Sequence, residues 1–299
     1  MIKTVVLAAM MSLAAAAAEA QDKLKVVATF SIVGDIVKNV GGDRVDVDML
    51  VGPNGDAHVY SPTPADARKL ADAKLIVVNG LGYEGWLERL VKASGGKVPV
   101  VVAAKAVKPR RAAGGHGHNH GHSHGSDPHA WQSVGNVKLY AAAIRDGLAA
   151  ADPAGKAAYE ANTQAYLDKL DELEREVREA VARIPASRRK VITTHDAFAY
   201  FTDAYGLEFI APQGVSTESE ASARDVARII AQIKRQKIPA IFVENVSDPR
   251  LLKRIADETG ARIGGTLYSD ALTDQKGPAP TYIDLIRHNI RTLSTALMT

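Results

Sequence analysis

The 299-residue chain contains no cysteine. Disulfides, thiolate metal sites and cysteine nucleophiles are therefore excluded. So is a lipid anchor, which needs a cysteine at the mature N-terminus. Aromatic residues make up only 5% of the chain, too few for a platform on which nucleic-acid bases stack. Neither sign of charge is in excess. The formal net charge is +3, which implies neither nucleic acid nor an anionic membrane surface as a partner. Beyond residue 20 no apolar run approaches the length that spans a bilayer.

What is present begins with an export signal. Lys3 supplies a positive start, Thr4 to Ala18 is a short apolar run, and Ala18-Glu19-Ala20 is a small-x-small cleavage site. Residues 1–20 are therefore expected to be a signal peptide cut after Ala20. An exported chain without an anchor belongs in a periplasm or in the medium.

After the signal, β-branched runs alternate with helical patterns. The runs are Leu24–Phe30, Val45–Val51, Leu75–Asn79 and Val98–Ala103, then Lys190–Thr194, Leu207–Ala211, Ala240–Glu244 and Arg262–Leu267. Each is apolar enough to be buried on both faces, as parallel strands are. Helical stretches separate most of them, for example Ile32–Val40, Tyr83–Ala93, Ala223–Arg235 and Pro249–Thr259. The pattern predicts an α/β protein of two domains, each with a four-stranded parallel sheet. One long helical pattern, Pro153 to Ile184, lies between the halves. Tyr159, Tyr166, Leu170, Leu173, Val177, Val181 and Ile184 form its apolar face, with Glu174–Arg178 and Glu179–Arg183 as i,i+4 pairs. It would be about 48 Å long and would act as a rigid backbone helix, limiting closure to small movements. The expected division is an N-terminal domain over 21–151, a linking helix over 152–185 and a C-terminal domain over 186–299.

Residues 114–125 read GGHGHNHGHSHG and hold His116, His118, His120, His122 and His124. With no apolar side chain this segment cannot pack and is expected to be a loop. Its spaced imidazoles suit auxiliary metal capture.

Three of the other four histidines fall at strand ends. His58 lies in the loop after the second strand, His129 beyond the fourth, and His195 ends the fifth. Asp270 lies just past the eighth. Ligands of open α/β sheets bind outside the carboxyl ends of the strands. If the two halves face each other by those ends, the four side chains converge. Three imidazoles and one carboxylate suit zinc, which takes four nitrogen and oxygen ligands tetrahedrally. Calcium and magnesium need oxygen cages. Copper and nickel fit the chemistry. A catalytic zinc keeps one open position, so a fourth protein ligand argues against an enzyme. His288, in the Thr281–Leu297 pattern, reads as a surface histidine. Glu218 and Glu220 lie in a loop near the expected cleft, where Ser222 and Asp225 resemble a capping box. Tyr60 and Trp131 read as cleft walls.

The segments VVATFSIVGDIVKNVGG, HVYSPTPAD, DPHAW, TTHDAFAYF, GVSTESEAS and IFVENVSDP together resemble the zinc/manganese-specific solute-binding proteins of bacterial ABC importers (cluster A-I). The likeness covers about residues 23–297. It implies two α/β domains, a long backbone helix and a metal site in the interdomain cleft, with ligands at His58, His129, His195 and Asp270. Manganese-preferring members commonly carry glutamate where this chain has His195, and histidine-rich loops are frequent among zinc members. YSDAL is closer to the members that bear aspartate, some of which accept manganese. The expectation is a periplasmic receptor, monomeric, with Zn(II) as transported ligand. Its partners would be an ABC permease in the inner membrane and a periplasmic zinc metallochaperone. A manganese or nickel receptor and an exported zinc hydrolase are the alternatives.

Overall fold

The computed structural model describes residues 22–112 and 125–298. The expected signal peptide and the five tract histidines lie outside these residues. The chain forms two four-stranded sheets, parallel throughout. The first contains β1 (Leu24–Phe30), β2 (Val45–Val51), β3 (Leu75–Val78) and β4 (Val100–Val102), in the order β2-β1-β3-β4. The second contains β5 (Lys190–Ile192), β6 (Glu208–Ile210), β7 (Ala240–Glu244) and β8 (Arg262–Leu267), in the order β6-β5-β7-β8. In each sheet the chain runs to one side and then crosses to the other, and this leaves a crevice at the carboxyl ends of the central strands.

Burial on both faces holds for the inner strand β3 but not for the sheet edges. Val100 and Val102 of β4 are 43% and 38% exposed, and Ile263 of β8 is 41% exposed. An edge strand has a neighbour on one side only, and β4 is also short, at three residues.

Helices α1 (Ser31–Gly41), α2 (Pro64–Asp72) and α3 (Leu87–Ala93) belong to the first half, and α6 (Ala199–Tyr205), α7 (Ala223–Gln236) and α8 (Arg250–Thr259) to the second. Between them run α4 (Val134–Ala151) and α5 (Lys156–Arg183); α9 (Tyr282–Met298) closes the chain. The long helix starts later than its sequence suggests. Asp152 caps a 3-10 turn over Pro153–Gly155 by accepting from Gly155 N–H, and the α-helix follows. The expected pair Glu174–Arg178 forms at 2.6 Å. Among the described residues no ion pair joins Glu179 to Arg183. Helix α4 is not obvious from periodicity, because it is rich in alanine. It packs through Val137, Tyr140, Ile144 and Leu148, and Gly147 lets it approach β4: a Cβ there would meet Val101 Cγ2 at 2.2 Å.

One continuous core joins the halves. Ile36 of α1, Ile144 of α4, Tyr166 and Leu173 of α5, Phe242 of β7 and Leu293 of α9 all belong to it. A second, smaller core lies under α7 and α8, with Ile229, Ile233, Leu252 and Ile255. Polar ties reinforce the first: Arg287 of α9 holds Glu176 of α5 through two bonds of 2.8 and 2.7 Å.

Asp35 of α1 accepts from Tyr282 N–H at the start of α9, at 2.9 Å. Burial pushes its pKa up to about 6, with Asp284 adding to the rise and Lys38 opposing it. The folded-state pKa exceeds the unfolded value, so the ionised form weakens the fold. Stability should fall as pH rises from about 4 to about 6 and stay lower above that. Discounted for partial exposure, the effect is on the order of 1 kcal/mol. Asp35→Asn should raise the thermal unfolding midpoint at pH 7.5 and leave it nearly unchanged at pH 4. Equal shifts at both pH values would contradict this.

Candidate metal centre

The four side chains at the strand ends meet between the two halves. His58, His129, His195 and Asp270 can each present one atom, all within 4.8 Å of one another. His58 Nε2 lies 3.2 Å from His129 Nε2 and 3.3 Å from Asp270 Oδ2. His195 Nε2 lies 3.1 Å from Asp270 Oδ2, and His129 Nε2 lies 3.6 Å from Asp270 Oδ1. A tetrahedron with bonds of about 2.0–2.1 Å has edges of about 3.3–3.4 Å. The observed separations bracket that value.

Each segment is held by its own local chemistry. His195 follows β5 by three residues, and Glu244 at the end of the neighbouring β7 accepts from both Thr194 N–H and His195 N–H, at 2.7 and 3.0 Å. His129 sits in a segment fixed by Asn79, whose side chain donates to Pro128 O at 2.9 Å. Glu84 orders Asn79 in turn, accepting from Asn79 N–H and from Thr29 Oγ1. Asp270 is clasped from the first half: Trp131 Nε1 and Gln132 Nε2 both donate to Ser269 O, at 2.9 and 2.7 Å, and Leu272 N–H donates to Ser31 Oγ. His58 rides on a loop anchored by Trp86 Nε1, which donates to Ala57 O, and by the Thr63–Asp66 capping box of α2. Asn54, in the left-handed region at φ 57°, turns this loop so that its N–H reaches Leu272 O at 2.8 Å.

Two carboxylates orient the imidazoles. His129 Nδ1 lies 2.8 Å from Asp127 Oδ1, and His195 Nδ1 lies 2.6 Å from Glu244 Oε2. A proton on each Nδ1 leaves the Nε2 lone pair facing the common point. Asp127, Glu244, His129, His195 and Asp270 are all buried. The 2.6 Å contact of His195 Nδ1 with Glu244 Oε2 is an ion-pair contact out of hydrogen-bond alignment. Neither Asp270 oxygen makes an aligned hydrogen bond, nor does His195 Nε2, although they approach to 3.1 Å. Buried polar atoms require partners, and a divalent cation at the common point would satisfy all three. Burial alone would depress the His195 pKa, but the Glu244 and Asp270 carboxylates outweigh it and hold it well above 6.5. Burial alone would raise that of Asp270, but His195 and His129 hold it well below the ordinary value.

Of the residues singled out in the sequence, Trp131 is a fully buried wall and Tyr60 donates to Asp66 Oδ2 at 2.9 Å. Ser222 caps α7, accepting from Asp225 N–H. Glu218 and Glu220 are exposed, and Glu220 lines a neighbouring cavity. His288 is not a free surface residue: it is half-buried, with Nε2 3.1 Å from Thr266 O and its ring against Tyr268. Asp127 and Glu244 escaped the sequence reading. An acid two residues before His129 and another at the end of an apolar central strand were the available signals.

The profile of the family described as Zinc-uptake complex component A periplasmic matches residues 26–296. The Manganese-binding lipoprotein MntA of Halalkalibacterium halodurans is 34% identical over 274 residues, covering 92% of this chain and 88% of the relative. The Iron-binding protein YfeA of Yersinia pestis is 36% identical over 272 residues, covering 91% and 86%. The solved structure of the periplasmic zinc binding protein TroA from Treponema pallidum has a TM-score of 0.85 at 34% identity, covering 92% of this chain and 99% of that one.

Glu244→Gln should keep the acceptor for the two backbone N–H groups. Its amide would donate to His195 Nδ1 and impose the opposite tautomer, turning an N–H toward the metal. Metal affinity should fall about 10–100-fold while the unfolding temperature changes little. A competitive titration with a chromogenic chelator checks this, and unchanged affinity would contradict it.

Proposed function

This chain belongs to the zinc-uptake complex component A family, a group of metal-binding receptors of ABC importers, and from that premise we propose that its cargo is zinc. The ligands would be His58, His129, His195 and Asp270. The observation that carries the reading is the third imidazole, His195, locked by Glu244 with Nε2 toward the centre. Zinc outranks manganese at a site of mixed nitrogen and oxygen donors, and three nitrogens to one carboxylate favour it further. Four protein ligands leave no open position for a reacting water, so the chain acts as a receptor and not as a hydrolase.

The expected export signal supports a periplasmic location, and among the described residues no helix is long and apolar enough to cross a membrane. The partner would be a permease in the inner membrane, which takes the ion from a monomeric receptor. A metallochaperone could supply it, with His116, His118, His120, His122 and His124 as auxiliary captors. Manganese is the second reading, and the relatives named for manganese support it.

The test is a competitive zinc titration of a chain in which residues 113–124 are replaced by a two-residue turn. The stem tolerates this, because Ala112 N–H already donates to Gly125 O. One zinc per chain that manganese does not displace is the expected result. Ready displacement by manganese would assign the cargo to manganese. His195→Glu should move the zinc-to-manganese affinity ratio toward manganese by about tenfold or more.

Binding should also be linked to protons. His195 titrates well above 6.5, so at pH 7 a bound zinc must displace its proton. Apparent affinity should then fall by up to about tenfold per pH unit below that pKa. Calorimetry in buffers of different ionisation heat should show proton release at pH 7; none would contradict the assignment of His195 as a ligand.

A further inference from the structure

A cavity of about 720 Å³ lies beside the centre. Both halves build its wall: Asp56 comes from the loop of His58, and Thr194, Gln213, Thr217 and Glu220 come from the second half. Two lining residues adjoin the centre in the chain: Thr194 precedes His195, and Asp56 stands two residues before His58 and accepts from its N–H. None of the four side chains at the centre lines the cavity. His129, His195 and Asp270 have no exposed surface, and the rings of Tyr83 and Trp131 pack against His58 and His129. Of the four side chains at the centre only His58 keeps any exposure, 5%.

The wall carries oxygen donors that the protein does not use. Thr194 is 2% exposed and its Oγ1 has no hydrogen-bond partner. Gln213 Oε1 and Ser247 Oγ are buried and unpartnered as well. The charges favour a cation. The lining holds three carboxylates, Asp56, Glu220 and Asp248, against two guanidinium groups, Arg250 and Arg254; Asp248 pairs with Arg250 at 2.5 Å and Glu220 also acts on it. Asp56 is the carboxylate of the lining that also bonds to the His58 segment. Its Oδ1 accepts from His58 N–H at 2.9 Å, and its Oδ2 accepts from Thr217 Oγ1 at 2.6 Å across the cleft.

We propose that this cavity is the port through which a divalent cation reaches and leaves the centre, held in transit on oxygen with Asp56 as its principal ligand. The proposal rests on the reading that the centre holds the cargo. An arriving cation replaces the Thr217 hydroxyl at Asp56 Oδ2. That exchange undoes a hydrogen bond between the halves next to the one ligand that is not sealed, so His58 can turn to take the ion. Transfer by ligand exchange avoids a bare ion in a closed site, where desolvation is most costly. The same steps in reverse release the ion.

The test uses the purified full chain with zinc(II) alone. An equilibrium titration first establishes stoichiometry; if the wild type takes up no tight zinc, the reading of the centre fails, whatever the rates. Stopped-flow association and release into excess chelator then follow for wild type, Asp56→Asn, Glu220→Gln and Thr217→Val. A transit ligand lowers the barrier in both directions. Asp56→Asn should therefore slow association and release alike by about tenfold or more, with the equilibrium constant kept within about threefold. Glu220→Gln should slow association and weaken its salt dependence. Thr217→Val should leave both rates unchanged or faster, because it frees Asp56. Faster release with unchanged association in Asp56→Asn would make Asp56 a latch and overturn the proposal. Unchanged rates in both acidic variants would overturn it too.

Discussion

The structure turns on a buried carboxylate, Asp270, facing three imidazole nitrogens at 3.1–3.6 Å with no aligned hydrogen bond to either of its oxygens. An ion removed from water without compensation costs several kcal/mol. Two more buried acids, Asp127 and Glu244, stand directly behind the imidazoles. A proton on His195 can balance part of this charge, and a divalent cation can balance it while satisfying the geometry. The fold holds the arrangement together by clasping the segments to one another. Ser269 O takes two donors from the stretch that follows His129, and the loop of His58 is bonded to Leu272 just beyond Asp270. The four ligands therefore do not sit independently on two domains. The segments of His58 and His129 are tied across the cleft to that of Asp270, while Glu244 holds His195 from within its own half.

This explains why the long helix is only part of what fixes the two halves. Tyr166 and Leu173 of α5 share one core with α1, α4 and α9, and Tyr282 OH donates to Trp131 O at 2.7 Å, next to the centre. A wide hinge motion would expose that core and break those bonds. The cheaper movements lie in loops, which have few buried contacts. The loop of His58 shares a cavity wall with loops of the second half, and its ties across the cleft are few: Asn54 donates to Leu272 O and accepts from Asn245, and Asp56 accepts from Thr217.

Much of this was legible in the sequence, for identifiable reasons. All eight strands were recognised because parallel strands between helices are continuous β-branched runs, and Leu24–Phe30, Val45–Val51, Ala240–Glu244 and Arg262–Leu267 have the expected bounds. The convergence of His58, His129, His195 and Asp270 followed from their place at strand ends. Edge exposure was not legible, since a short run such as Val100–Val102 carries no mark of its position in the sheet. Helix α4 was missed because its many alanines blur the apolar face. Asp127 and Glu244 were missed because their meaning lies in a contact: Glu244 matters through its position beside β5, which pairs with β7.

Donor chemistry alone does not separate the metals that relatives of this chain are named for, since one nitrogen-rich set can hold zinc, manganese or iron. The surroundings add a second criterion. Manganese favours further oxygen and water ligands, and these need free oxygens close to the ion. The oxygens of Asp127 and Glu244 that lie nearest the ligands are engaged by imidazole nitrogens, and Tyr83 and Trp131 close the opposite side with rings. The cavity at Asp56 adds the oxygens of Thr194, Gln213 and Asp56 itself. A metal content with four ligands is held by residues that do not move, whereas a metal that wants six must draw on the port and keep it engaged. On the zinc reading, the third imidazole and the wall that limits further oxygen ligands would act in the same direction.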